Sequence, residues 1–246
     1  MTMNPKLSKH KNSSNLIWEK LDDIIRSFSV CNKLFEQIEL NNKSWAIVGG
    51  TIRVWITQMG NTTNDLDLVV NAGVTEIDDM IKNIFSQNKL LNIEKTKLGG
   101  YRVVTDDIQI DIWSANRTIG IVNGNYNDEN MYRSISKSAA LSLDSIVFTS
   151  RGTIYERGFF KTLKTGVLSL NHSKINQSQS IANKAIRLCN EYDLIPDLAL
   201  QSLIISEMGL NQNDLLQVIN AYNKRFVRTG SRLVSEFENI SQPHKR

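Results

Sequence analysis

The stretch Trp45-Ala46-Ile47-Val48-Gly49-Gly50-Thr51-Ile52-Arg53, followed by Asp65-Leu66-Asp67-Leu68-Val69-Val70, decides how this chain is read. Four apolar residues ending at a glycine pair predict a buried strand and a tight turn. Thr51 to Met59 contains no breaker, so a helix is expected to open from that turn. In the second run side chains alternate across a strand, so Asp65 and Asp67 leave one face while Leu66 and Leu68 enter the core. A third acidic residue, Asp111, stands between Ile110 and Ile112 in a later β-rich run and projects with the polar set of its strand. If the two strands are neighbours, three carboxylates converge. Such a cluster repels itself unless cations hold it together. An oxygen-rich site with open positions suits Mg²⁺, and two such ions close together serve in-line phosphoryl or nucleotidyl transfer. The glycine turn ahead of a helix is a natural approach for phosphate, because backbone N–H groups and the helix N-terminus both favour negative charge.

Working outward, Leu16, Ile17, Leu21, Ile24, Ile25 and Phe28 recur at helical spacing, and Leu34, Phe35 and Ile38 extend the pattern to a second helix. Ile77, Met80, Ile81, Ile84 and Phe85 predict another. Tyr101-Arg102-Val103-Val104 and Ile108 to Trp113, separated by Thr105-Asp106-Asp107, predict a hairpin. Ser145 to Phe148 and Thr153 to Tyr155, split by Arg151-Gly152, predict a second, smaller one. Beyond about Lys174 the pattern is wholly helical, punctuated by Pro196, Gly209 and Gly230. The fold class expected is α+β: a disordered tail over residues 1–14, a mixed-sheet domain over 15–172 and a small all-helical domain over 173–246.

The 246 residues carry 29 Lys+Arg against 25 Asp+Glu, a net charge of +4 that is compatible with a polyanionic partner. The composition, 41% hydrophobic and with 3 Pro, excludes collagen-like and wholly disordered chains. No apolar run approaches the roughly 20 residues that span a bilayer, and the N-terminus lacks the apolar core of a secretory signal. Cys31 and Cys189 make no disulfide framework, and His10, His172 and His244 have no zinc-like spacing. A cytoplasmic protein without membrane partners is expected.

Ile47-Val48-Gly49-Gly50-Thr51-Ile52-Arg53 followed by Asp65-Leu66-Asp67-Leu68 resembles the signature of the polymerase-β-like nucleotidyltransferases, in particular the head and neck of bacterial-type poly(A) polymerases and tRNA CCA-adding enzymes. Asp111 takes the place of the third metal-binding carboxylate and Arg117 that of the arginine shortly after it. Tyr132-Arg133-Ser134-Ile135-Ser136-Lys137-Ser138-Ala139 is similar to the family's Arg-Arg-Asp-Phe-Thr-Ile-Asn-Ala block, which helps bind the incoming nucleotide. Gly152 to Glu156, Leu163 to Leu168 and Lys184 to Leu188 resemble the small hairpin, the connector and the start of the neck.

The resemblance implies a Mg²⁺-dependent nucleotidyltransferase with a nucleotidyltransferase head and a helical neck-like domain. It would move a nucleoside monophosphate from an NTP such as ATP to an acceptor hydroxyl. Asp65, Asp67 and Asp111 would be the catalytic, metal-binding residues, the first two holding both ions and Asp111 the ion that activates the acceptor. Gly49, Gly50, Arg53, Arg133, Ser136 and Lys164 would bind the nucleotide. An RNA 3′ end, as in tRNA, is the leading acceptor. A small molecule or a protein hydroxyl, or a non-catalytic nucleotide-binding role, are the alternatives.

The chain also departs from the family pattern. Val54 stands where the family has Asp, Tyr132 where it has the first arginine of its block, and Ser138 where it has Asn. Gln177-Ser178-Gln179-Ser180-Ile181 replaces the base-reading Glu-Asp-x-x-Arg, which implies altered base choice, since Gln, Ser and Ile do not reproduce that ionic template. The long body and tail that clamp tRNA in relatives are not expected within this chain. Arg225, Arg228 and Arg232 form a basic stripe that reads as a solvated helix face. Trp113 shares a face with Asp111 and could line a nucleotide pocket.

Overall fold

The computed structural model describes residues 5–57, 64–85, 92–96, 99–122, 131–171 and 178–211, with Asp214, Leu215 and Gln217 beyond. The chain divides into two compact units, residues 1–138 with 146–156, and residues 139–145 with 157–246.

The first unit runs α1 (Pro5–Ser27), α2 (Ser29–Leu40), β1 (Trp45–Val48), α3 (Gly50–Thr57), β2 (Asp65–Val70), α4 (Val74–Phe85), β3 (Asn92–Lys95), β4 (Tyr101–Val104), β5 (Gln109–Ser114), α5 (Ile119–Val122), α6 (Met131–Ser138), β6 (Ile146–Thr149) and β7 (Ile154–Glu156). Its strands form one sheet in the order β3-β4-β5-β2-β1-β6-β7. Neighbouring strands are antiparallel except for the parallel β2–β5 pair near the centre. That pair makes the sheet mixed, as expected for the fold class.

Alternation along the strands sorts the sheet into two faces. Phe148, Ile47, Leu68 and Ile112 are register partners in a continuous row, all buried. Helices cover this side: Trp18 of α1 meets Trp45 and Phe148 edge-on, and Phe35 of α2 meets Trp45. On the other face Ala46, Val69 and Val147 pack with Ile135 of α6 and with the half-buried Trp113, Met131 and Tyr132. α6 lies over β6 and β7, and the acidic positions of β2 and β5 lie on that same face. Burying side chains of this size contributes roughly 1.5–3 kcal/mol each, which favours one register over a one-residue slip that would turn every core residue outward.

Residues 5–14, expected as a disordered tail, are helical, and α1 begins at Pro5. Toward the end of this stretch Ser13 is buried and the Ser14 hydroxyl donates to the Gly152 carbonyl at 3.0 Å, contacts invisible in the apolar periodicity. Strand β3 was also not foreseen. Asn-Ile-Glu-Lys has one apolar residue and no pattern of its own, and its backbone is recruited by β4 at the sheet edge.

The second unit holds α7 (Phe159–Thr165), β8 (Val167–Leu168), α8 (Ser178–Tyr192), β9 (Ile195–Pro196) and α9 (Leu198–Met208). Its described residues beyond Lys174 lie mainly in α8 and α9, with β9 between them pairing in parallel with β8. Gly166 ends α7 in a left-handed conformation and its carbonyl accepts from the Ile195 amide, so the strand pair closes on a helix C-cap. Asp197 caps α9 by accepting from the Leu200 amide at 2.9 Å, and Lys184 pairs with Asp144 at 2.6 Å. The Arg225, Arg228 and Arg232 stripe lies outside the described residues, as does Gln177 of the expected base-reading segment.

Candidate active site

The first unit builds its acidic site from two strands and one turn. β2 and β5 are register-matched so that Asp65 faces Gln109 and Asp67 faces Asp111. Because these pairs share a sheet face, the three carboxylates converge, each offering an oxygen within 4.8 Å of the others. At that spacing each pair repels by roughly 1–3 kcal/mol in a partly solvated setting. Asp65 is exposed as a residue, yet desolvation of its carboxyl, then the Asp111 charge, push its pKa above the ordinary value. The Gln109 amide and the Arg102 charge pull the other way.

The glycine turn abuts this cluster. Gly49 has φ of +56°, the left-handed region where a side chain is strained. Its amide donates to Ile146 and its carbonyl accepts from Arg53, so the strand converts to α3 within one residue. A Cβ placed on Gly50 would lie 3.6 Å from the Asp67 carboxylate and 3.6 Å from the Arg53 guanidinium. The turn, Arg53 and Asp67 therefore meet at one point, with Arg53 itself 6% exposed.

Three residues that the sequence did not single out complete the geometry. The Thr51 hydroxyl donates to the Asp65 carbonyl at 3.1 Å and accepts from the Asp67 amide at 2.9 Å, stitching α3 to the acidic strand. Gln109 donates to Asp65 at 3.2 Å. Arg102 of β4 grips both Asp111 oxygens, Nε to one and an η-nitrogen to the other, each at 2.7 Å. The Asp111 carboxylate raises the Arg102 pKa further above its already high value. Arg102 was legible in principle: the hairpin turn at Thr105 to Ile108 pairs it with Asp111.

Arg117 is exposed on the turn after β5, and Trp113 shares the face of Asp111 with its indole donating to Thr118 at 3.2 Å. Arg133 is exposed on α6. Ser136 is 2% exposed and its hydroxyl donates to the Arg133 carbonyl at 2.9 Å. Tyr132, at the position of the family's first arginine, is half-buried and its hydroxyl donates to Ser44 at 2.8 Å. It packs the sheet face instead of offering a charge. Lys164 is exposed on α7 and belongs to the second unit.

The likeness of this chain to tRNA nucleotidyltransferases and CCA-adding enzymes is borne out at the level of the fold by solved structures. The chain is similar to a CCA-adding enzyme in complex with CTP, with a TM-score of 0.57 and 16% identity over 92% of this chain and 54% of that one. It is similar to a tRNA nucleotidyltransferase complexed with a primer tRNA and an incoming ATP analog, with a TM-score of 0.53 and 16% identity over 80% and 62% of the two chains. A tRNA-processing enzyme in an apo form gives 0.54 and 15% over 90% and 57%. The chain thus spans little more than half the length of these proteins. No family model and no curated protein matches it by sequence.

Proposed function

We propose that the chain is a divalent-metal-dependent nucleotidyltransferase that moves a nucleoside monophosphate from an NTP to the 3′ hydroxyl of an RNA. The observation that carries this reading is the meeting of Asp65, Asp67 and Asp111 within 4.8 Å beside the Gly49-Gly50 turn. The donor set is all carboxylate oxygen, hard and negatively charged, which fits Mg²⁺ and does not suit a soft metal. Asp65 and Asp67 would hold two ions and Asp111 one of them. When bound, the ions supply Lewis-acid stabilisation of the phosphoryl oxygens and lower the pKa of the acceptor hydroxyl.

The chain's own residues do the remaining work. Backbone N–H groups of the glycine turn approach the β- and γ-phosphates, where a side chain at Gly50 would intrude. Arg53 and Arg133 offset charge as pyrophosphate leaves. Ser136 acts through the helix that carries Arg133. The acceptor oxygen forms a bond to the α-phosphorus, the bond to the bridging oxygen of pyrophosphate breaks, and the hydroxyl proton passes to solvent. The RNA acceptor is supported by the fold's likeness to a tRNA nucleotidyltransferase and a CCA-adding enzyme and by the net charge of +4.

The test is incubation of the full chain with each labelled NTP, Mg²⁺ and total RNA, with the chain itself and small alcohols as competing acceptors. Label is expected on RNA 3′ ends and is expected to fall by roughly 10²–10³ or more in Asp65→Ala and Asp67→Ala, the scale of removing a transition-state stabiliser. Transfer unchanged by both substitutions would remove the site assignment. Label on protein or alcohol with RNA untouched would replace the acceptor.

A further inference from the structure

Across β4, β5 and β2 a single row of register partners reads Arg102, Asp111, Asp67. The central carboxylate is therefore flanked by a cation on one side and a like charge on the other. Arg102 reaches Asp111 through a planar fork, both contacts 2.7 Å, which occupies one lone pair on each oxygen and leaves only the remaining pair of sites for anything else. Its charge also bears on Asp65. Arg102 stands on β4, between β3 and β5, with its side chain 44% accessible, whereas Asp111 is 20% accessible, so solvent can reach the guanidinium and let it move.

Resting on the metal-centre reading above, we propose that Arg102 is a built-in counter-cation of the acidic centre, holding Asp111 by its two-point pair and competing with the divalent ion for that carboxylate. Three convergent negative charges are costly to keep together, and the guanidinium supplies part of the compensation that an ion supplies more fully. Metal uptake then trades one cationic partner of Asp111 against another, and Arg102 sets the metal concentration at which the centre fills. It is a positioning residue, acting on the reaction only through Asp111. A merely structural cross-strand pair on an exposed hairpin contributes little to folding, and its removal gives no reason for metal to bind more tightly.

Mn²⁺ binding to the full chain without nucleotide, followed by the electron paramagnetic resonance of free Mn²⁺, separates these roles. Arg102→Gln is expected to tighten Mn²⁺ binding about tenfold, because removing a unit positive charge a few ångströms from a divalent ion is worth that much even in a largely aqueous setting. Arg102→Lys keeps the charge and loses the fork, and is expected to lie between the two. The difference should shrink at high salt. Melting in EDTA checks that both variants fold. Binding in Arg102→Gln that equals or is weaker than wild type, while Asp67→Asn and Asp111→Asn abolish binding, overturns the role of Arg102 and leaves the metal centre standing. Binding indifferent to Asp67→Asn and Asp111→Asn, or absent from every form, overturns the metal centre and this proposal with it.

Discussion

The hydroxyl of Thr51 bridges Asp65 and Asp67, donating to the carbonyl of the first and accepting from the amide of the second. Thr51 is 2% exposed and sits one residue into α3. A single buried side chain thus sets the distance between the glycine turn and the acidic strand.

Replacing Thr51 with Val keeps the shape and removes both hydrogen bonds, leaving the Asp67 amide without that partner. The expected loss is about 1–3 kcal/mol, read from urea unfolding, the usual cost of an orphaned buried polar group. Thr51→Ser is expected to stay within about 1 kcal/mol of wild type, since only a methyl is lost. Mn²⁺ affinity should fall with Thr51→Val and hold with Thr51→Ser.

Two glycines should separate stability from activity. A Cβ at Gly100 would come within 2.6 Å of the Ile112 carbonyl and 2.8 Å of the Trp113 side chain, so Gly100→Ala forces β4 from β5 and is expected to cost roughly 1–3 kcal/mol in urea. At Gly50 the nearest atoms are 3.6 Å away, ordinary contact. Gly50→Ala is therefore expected to melt close to wild type while nucleotidyl transfer drops, because the methyl stands where phosphate must approach. A melting loss as large as that of Gly100→Ala would contradict the open geometry.

The raised Asp65 pKa has a stability consequence. A carboxyl whose folded value lies above its unfolded one contributes stability that is fully present below the ordinary carboxylate range and is lost as pH rises through the folded value. At neutral pH in EDTA the ionised Asp65 thus works against the fold. Asp65→Asn is expected to melt higher than wild type there, and the advantage is expected to vanish as pH falls below about 4, the ordinary Asp range. Saturating Mg²⁺ should reverse the order, since only the carboxylate binds the ion. A melting temperature for Asp65→Asn below wild type at neutral pH in EDTA would refute this.

Cys31 and Cys189 are fully buried, and burial pushes both thiols up to about 12. Alkylation needs the thiolate, so iodoacetamide at pH 8.5 is expected to leave both unmodified in the native chain and to label both in denaturant, read by intact mass. The same burial favours the neutral thiols, and that contribution to folding is fully present below the ordinary value of 9.0 and is lost as pH rises from there through about 12. Rapid native labelling would contradict it.

Much of this molecule was legible because its signals are local. Trp45 to Val48 is apolar and ends at Gly49-Gly50, and the strand ends where the glycines begin. The apolar spacing of Ile77, Met80, Ile81 and Phe85 is the buried face of α4. Where local and tertiary causes part, the reading failed. α1 spans Pro5–Ser27, and within it Ser14 finds the Gly152 carbonyl. β3 exists because β4 offers it an edge, and β9 because β8 lies ready to pair. The same distinction separates Asp111, visible from its apolar neighbours, from Thr51 and Arg102, whose roles depend on partners 16 and 9 residues away.

The sequence by itself determined that Asp65, Asp67 and Asp111 project from the polar faces of their strands, since the two-residue period of a strand is a property of its own backbone. Only the tertiary structure decided that β2 and β5 run side by side in parallel with Asp67 opposite Asp111, that the Gly50 turn closes against them, and that Arg102 stands at the far side of Asp111. Which strands become neighbours, and in what register, depends on burying whole rows such as Phe148, Ile47, Leu68 and Ile112 together. That is a many-body packing condition, which no single segment of the chain contains.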